Sequence, residues 1–146
     1  KEVSNILNDP WEGDSQVGHN ILKGYITFFG ETINYKNSMW EKNISTVIWK
    51  EELHSFNWIK DIRAVGTNQA RSFLRKSVND WVLKYNKWSL REWRSDIIGK
   101  RLYSLLGNFN FFCSSADNNF QKLMLESLFK QGNHLIKNKL QDISGY

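Results

Sequence analysis

Cysteine, proline and long apolar runs are all scarce in this 146-residue sequence. Cys113 is the only thiol, so no disulfide forms within the chain, and cysteine usage assigns no redox compartment. The only proline lies in Asp9-Pro10-Trp11, and with Gly13-Asp14 and Gly18-His19 it makes residues 1–20 read as an extended segment punctuated by turn residues. No apolar run approaches the roughly 18 to 20 residues that span a bilayer, and no basic-then-apolar leader is present. Lys1 stands where a Met would start a chain, which reads as a piece excised from something longer. Catalytic signatures are missing too: there is no nucleophile elbow, no phosphate-binding Gly loop and no Cys/His set at metal spacing. His19, His54 and His134 are far apart on different elements. The sequence therefore calls for no metal and no cofactor.

What is present is aromatic and basic. An apolar share of 40%, 14% aromatic, predicts a folded chain, and the length suits one domain with a core of its own. Residues 49–101 hold 12 Lys or Arg against 6 Asp or Glu, an excess of +6. Residues 1–48 hold 4 against 6, or −2, and residues 102–146 hold 4 against 3, or +1. The basic excess thus belongs to the middle, where Trp58, Trp81, Trp88 and Trp93 also lie. Such a concentration attracts phosphate backbones, membrane surfaces or acidic polysaccharides, and charge alone does not choose among them.

The pattern along the chain divides it at residue 48. Residues 1–48 hold the extended segment and a β-hairpin, whose strands are read from the aromatic and β-branched residues around Gly24 and Gly30, with a turn near Gly30-Glu31. Residues 49–146 read as antiparallel helical hairpins. Leu53, Phe56, Ile59 or Lys60, and Arg63 predict one helix of about three turns, closed by Gly66 in a left-handed cap. Thr67 or Asn68 caps the next helix, and Ala70, Phe73, Leu74, Val78, Trp81, Val82 and Tyr85 give it an apolar face down to Tyr85. A third helix starts at Ser95-Asp96 and ends near Gly107. After an aromatic connector over 108–115, a long final helix runs from about Asp117 to Asp142, with a break or kink expected at Gly132, which costs about 1 kcal/mol relative to Ala.

The middle third carries the candidate site. Trp58, Trp81 and Trp93 are either core, with Arg63, Arg71 and Arg101 paired to Asp61, Asp80 and Asp96, or they line a groove. In the groove reading, aromatic faces stack on sugar rings or bases and guanidinium forks hold carboxylates or sulfates. Asp61 and Arg63, two apart on a helix, do not share a face. Arg94 and Arg101 reach one concave surface if they line a groove.

A series of short matches in order adds a resemblance. Asp9-Pro10-Trp11, Gly13-Asp14, Ile21-Leu22-Lys23-Gly24, Phe56-x-Trp58-x-x-Asp61-Ile62-Arg63-Ala64, Ala70-Arg71, Asp80-Trp81, Trp93-Arg94-x-Asp96 and Arg101-Leu102 together resemble the N-terminal portion of bacterial heparinase II/III-like proteins, over about residues 8–140. The resemblance implies a mainly α fold whose hairpins form part of an (α/α) toroid, completed elsewhere in the same parent by further helices and a β-sandwich domain. It implies a polysaccharide lyase acting by β-elimination on uronate chains, in which a basic site neutralises the substrate carboxylate while a Tyr or His takes the C5 proton. The implied substrate-binding set is Trp58, Asp61, Arg63, Arg71, Trp93, Arg94, Arg101 and His134, facing an acidic polysaccharide. Asn133-His134 resembles an Asn-His pair of some members and also suits the plain helical pattern. No catalytic residue is assigned, and the piece alone is expected to be inactive. Export of the parent would make the site periplasmic or extracellular; without export it would be cytoplasmic. Two further readings stand beside it. One is a helical nucleic-acid-binding module using Arg71, Arg75, Lys76 and Lys84, disfavoured because its cations sit among buried-looking Trp residues. The other is a non-catalytic glycan-binding protein.

Overall fold

Asp14 starts a helix where the sequence reads as extended chain. In the computed structural model, which describes residues 11–41, 43–85 and 93–143, α1 covers Ser15–Leu22. The Asp14 carboxylate accepts from the backbone N–H groups of Gln16 and Val17, at 2.9 and 3.4 Å, and so caps α1. The glycines that look like turn residues have another role. A Cβ on Gly18 would stand 2.2 Å from the carbonyl oxygen of Asp61, and one on Gly13 would stand 1.9 Å from that of Lys60. Both let the N-terminal stretch lie directly on the backbone of α3 (Ile59–Val65). Gly18→Ala is therefore expected to cost about 1–3 kcal/mol through overpacking against rigid backbone. Urea denaturation would check this, and an unchanged midpoint would refute the close approach.

The hairpin forms as its β-branched and aromatic residues predict. β1 (Tyr25–Phe28) pairs antiparallel with β2 (Glu31–Asn34), joined by Phe29 and Gly30. Both turn residues are left-handed, with φ of 55° and 79°, the pairing that suits a two-residue hairpin turn. The turn thus falls one residue earlier than Gly30-Glu31, and Phe29 is carried out into solvent.

The helix expected across Leu53 to Arg63 is two helices. α2 (Val47–Ser55) ends at Phe56, whose φ is 59°, and α3 begins at Ile59. A left-handed non-glycine residue costs roughly 1–2 kcal/mol. The break lets Phe56 and Trp58 both enter the core, and burying two aromatic side chains at about 1.5–3 kcal/mol each outweighs that cost. Gly66 closes α3 at φ 74°. Thr67 then caps α4 (Asn68–Tyr85), its Oγ1 accepting from the Ala70 N–H at 3.1 Å.

α5 (Ser95–Gly107) follows, then the short α6 (Phe109–Phe112) inside the aromatic connector, and α7 (Asn118–Ile143). Gly132 neither breaks nor ends α7. The chain is mainly helical, with seven helices and one two-stranded sheet among the described residues. One apolar cluster joins Ile21 and Ile26 from the N-terminal part to Leu53, Trp58, Leu74, Trp81, Leu105, Phe112 and Met124. Asp9-Pro10 and Trp88 lie outside the described residues.

Candidate binding groove

Among the described residues, the tryptophans of the middle third are buried. Trp40, Trp49, Trp58, Trp81 and Trp93 are all buried. Each indole N–H donates to an acceptor inside the protein: Trp40 to the Ser77 carbonyl, Trp49 to that of Glu31, Trp58 to that of Leu53, Trp81 to His54 Nδ1 and Trp93 to the Tyr85 carbonyl, all at 2.9–3.1 Å. A buried indole whose one donor is used this way has no N–H left for a ligand.

Among the described residues, Arg101 is the most enclosed charge. It is fully buried, its guanidinium 4.4 Å over the Trp81 ring; Nε donates to Gln131 Oε1 at 2.6 Å and Nη1 to the His54 carbonyl at 2.9 Å. It ties α5 to α2, α4 and α7. Arg63 reaches Asn108 Oδ1 at 2.6 Å and also donates to the Trp11 carbonyl, tying α3 to the N-terminal stretch. Arg71 turns back on its own helix start, donating to the Gly66 carbonyl and Asn68, and its guanidinium lies 4.9 Å from the Phe111 ring. His134 on α7 meets Trp93 edge to face at 5.2 Å, and burial holds its pKa below the usual histidine value.

Asp61 is a structural acceptor. Its Oδ1 takes the Asp14 N–H at 2.8 Å, and burial, the largest effect, raises its pKa despite that hydrogen bond and the neighbouring Lys60. A carboxyl whose pKa is higher in the folded chain favours folding most when protonated, and that contribution disappears as pH rises above the ordinary value of 3.8. Asp61→Asn, which keeps the acceptor oxygen, is expected to gain stability relative to the parent as pH is raised from 3 through 6. Urea midpoints of the pair at each pH would show it, and a constant difference would contradict it.

Of the eight residues, Arg94 faces open space. It bridges Glu51 on α2 at 2.8 Å and Asp96 on α5 at 2.7 Å, and the hydrogen bonds it donates hold the Asp96 carboxyl below the usual range. These three residues, with Phe29, Ile48, Glu52, Ile97 and Lys100, line a hollow of about 200 Å³. At Glu52 and Lys100 it adjoins a second hollow of about 380 Å³ lined by Asn57, Gly99, Tyr103 and Ser104. A groove thus runs along the seam of α2 and α5. Its floor is low at Gly99, where a Cβ would meet nothing within 4 Å. One end carries the exposed apolar side chains of Phe29 and Ile48. The sequence reading missed Phe29, Ile48, Glu51, Glu52, Lys100 and Tyr103. The only signal for them was a bulky residue at a hairpin turn, and that is visible only once the register is known.

No family model and no solved structure matches the chain. Among curated proteins there is a likeness. The chain is similar to FtsZ-localized protein C of Caulobacter vibrioides (strain NA1000 / CB15N). The two are 26% identical over 132 residues, 89% of this chain and 23% of that protein, so the chain spans under a quarter of that relative's length. This likeness overturns the reading of the chain as part of a uronate polysaccharide lyase, because the curated relative is named for its localisation with FtsZ and not for action on a polysaccharide. The physical reason the residue pattern misled is that Trp and Arg in series suit a packed, cross-tied core as well as a sugar cleft. Among the described residues no helix is long and apolar enough to cross a membrane.

Proposed function

We propose that this chain is a helical binding module of a cell-division-associated protein, recruited to FtsZ or to a protein that accompanies it. The observation that carries this reading is the alignment with FtsZ-localized protein C across 89% of the chain. Because that alignment reaches nearly the whole module, the shared property is proposed to reside in it. The groove between α2 and α5 is the surface best suited to a partner. It combines an apolar end at Phe29 and Ile48 with walls of both charge signs, Glu51, Glu52 and Asp96 against Arg94 and Lys100. Apolar anchors with a mixed polar rim suit a peptide segment with one or two large apolar side chains. In this reading the hairpins are one segment of a larger helical ring that the rest of a longer parent completes.

Co-sedimentation of the purified chain with polymerised FtsZ, alone and with a lysate fraction from the same cells, tests the proposal. The expected result is co-sedimentation, reduced at least tenfold in apparent affinity by Phe29→Ser with Ile48→Ser. Tenfold corresponds to about 1.4 kcal/mol, a modest loss for two exposed apolar anchors. Failure to sediment in both settings, at concentrations where the chain is folded, would overturn it.

A further inference from the structure

α7 carries large side chains on two separate faces, about 120° apart around its axis. One face, with Met124, Leu128 and Gln131, is buried against the rest of the protein. The other carries Leu125, Phe129, Ile136 and Leu140, which are 46%, 73%, 58% and 58% exposed. These four form one stripe along α7, since residues spaced by 4, 7 and 11 return to nearly the same side of a helix. It runs about 22 Å from Leu125 to Leu140 at about 1.5 Å per residue. A row of large apolar side chains in solvent on a rigid helix marks an interaction surface.

The order of residues in the stripe identifies what fits it. The intervals 4, 7 and 4 read the same from either end, so a second α7 laid antiparallel sets Leu125 against Leu140 and Phe129 against Ile136 on both sides of a two-fold axis. Charge agrees with that register. Glu126 and Lys137 are exposed and 11 residues apart, close to three full turns, so they share one flank of the stripe. A perpendicular two-fold axis brings the same flanks together, which places Glu126 of each copy alongside Lys137 of the other. The axis passes between Gly132 and Asn133. Glycine costs about 1 kcal/mol in a helix interior, and a Cβ at Gly132 would meet nothing within 4 Å inside this chain. At a two-fold crossing the missing side chain lets two helix backbones approach.

We infer that α7 is the isologous interface of an antiparallel homodimer, with Leu125, Phe129, Ile136 and Leu140 of one copy packed on the same residues of a second. The inference is independent of the division-site reading, because it concerns the chain with itself. Sedimentation equilibrium of the 146-residue chain from micromolar to hundred-micromolar concentration tests it. The expected mass rises from 17.3 kDa toward twice that value. Phe129→Glu, at an exposed position, should leave the far-UV circular dichroism and thermal midpoint of the monomer unchanged and abolish the rise. Glu126→Lys should weaken dimerisation, and adding Lys137→Glu in the same chain should restore it. Asn133→Cys, beside the axis, should cross-link two copies under mild oxidation, Cys113 being buried. A chain monomeric throughout the range would overturn the inference and assign the stripe to a further segment of a longer parent or to an unrelated protein. So would a dimer indifferent to Phe129→Glu, or a charge swap that fails to restore it.

Discussion

Arg101→Ala is expected to remove about 3–5 kcal/mol of folding stability, the loss typical when one partner of a buried, hydrogen-bonded charge network is deleted. A domain of this size has about 5–15 kcal/mol in total, so the variant would be unfolded in moderate urea where the parent is not. Three effects add. The Trp81 ring loses the cation above its face, Gln131 Oε1 and the His54 carbonyl lose their donor in a site closed to water, and the missing side chain leaves a cavity among α2, α4, α5 and α7. Arg94→Ala makes the contrast. Arg94 also binds two carboxylates, but its side chain is half-exposed, so the loss should stay within about 1 kcal/mol. Urea titrations followed by tryptophan emission and circular dichroism give both values. Near-equal losses would mean that burial does not separate the two arginines.

Trp40→Ala has the second large effect, about 3–5 kcal/mol. Trp40 holds the connection between β2 and α2 against the core. Its ring lies 5.2–6.4 Å from those of His54, Phe56 and Trp58, its indole N–H donates to the Ser77 carbonyl, and its own carbonyl accepts from Lys84 Nζ at 2.7 Å. Truncation opens a hole bordered by three rings and removes the indole donor to the Ser77 carbonyl of α4. The thermal midpoint should fall by roughly 6–20 °C, given about 2–4 °C per kcal/mol at this chain length. Trp11→Ala, whose ring is exposed, should move it little. If the two substitutions shift the midpoint equally, Trp40 is not part of the core.

The long periodic segments were legible from residues alone. Ala70 to Tyr85 repeats its apolar positions with helical spacing, and α4 follows that pattern; Gly66, Thr67 and Ser95 mark ends that the structure keeps. The division between α2 and α3 was not legible, because Phe56 and Trp58 fit a helical face equally well and only the position of the Trp40 and Trp81 rings makes the left-handed turn favourable. α1 was hidden because Gly13 and Gly18, read locally, signal turns. Their actual role is contact with the backbone of Lys60 and Asp61, some 43 to 47 residues away, and no local pattern carries that information. The groove lay beyond sequence reasoning for the same reason, since α2, α5 and the hairpin tip are joined only by packing. Trp58 and Arg101 stood out for the right chemical reason, large size and a delocalised charge, but the same properties serve a cross-tied core.

Hydrogen exchange at the indole N–H groups, read by NMR with an acidic polysaccharide added afterwards, tests most directly whether these tryptophans and arginines form the interior. The account predicts that the indole signals of Trp40, Trp49, Trp58, Trp81 and Trp93 exchange slowly and keep their positions when heparin or polygalacturonate is added. Rapid exchange of the Trp58, Trp81 and Trp93 signals, or their saturable shift with the polymer, would contradict it and return these side chains to a ligand-facing wall.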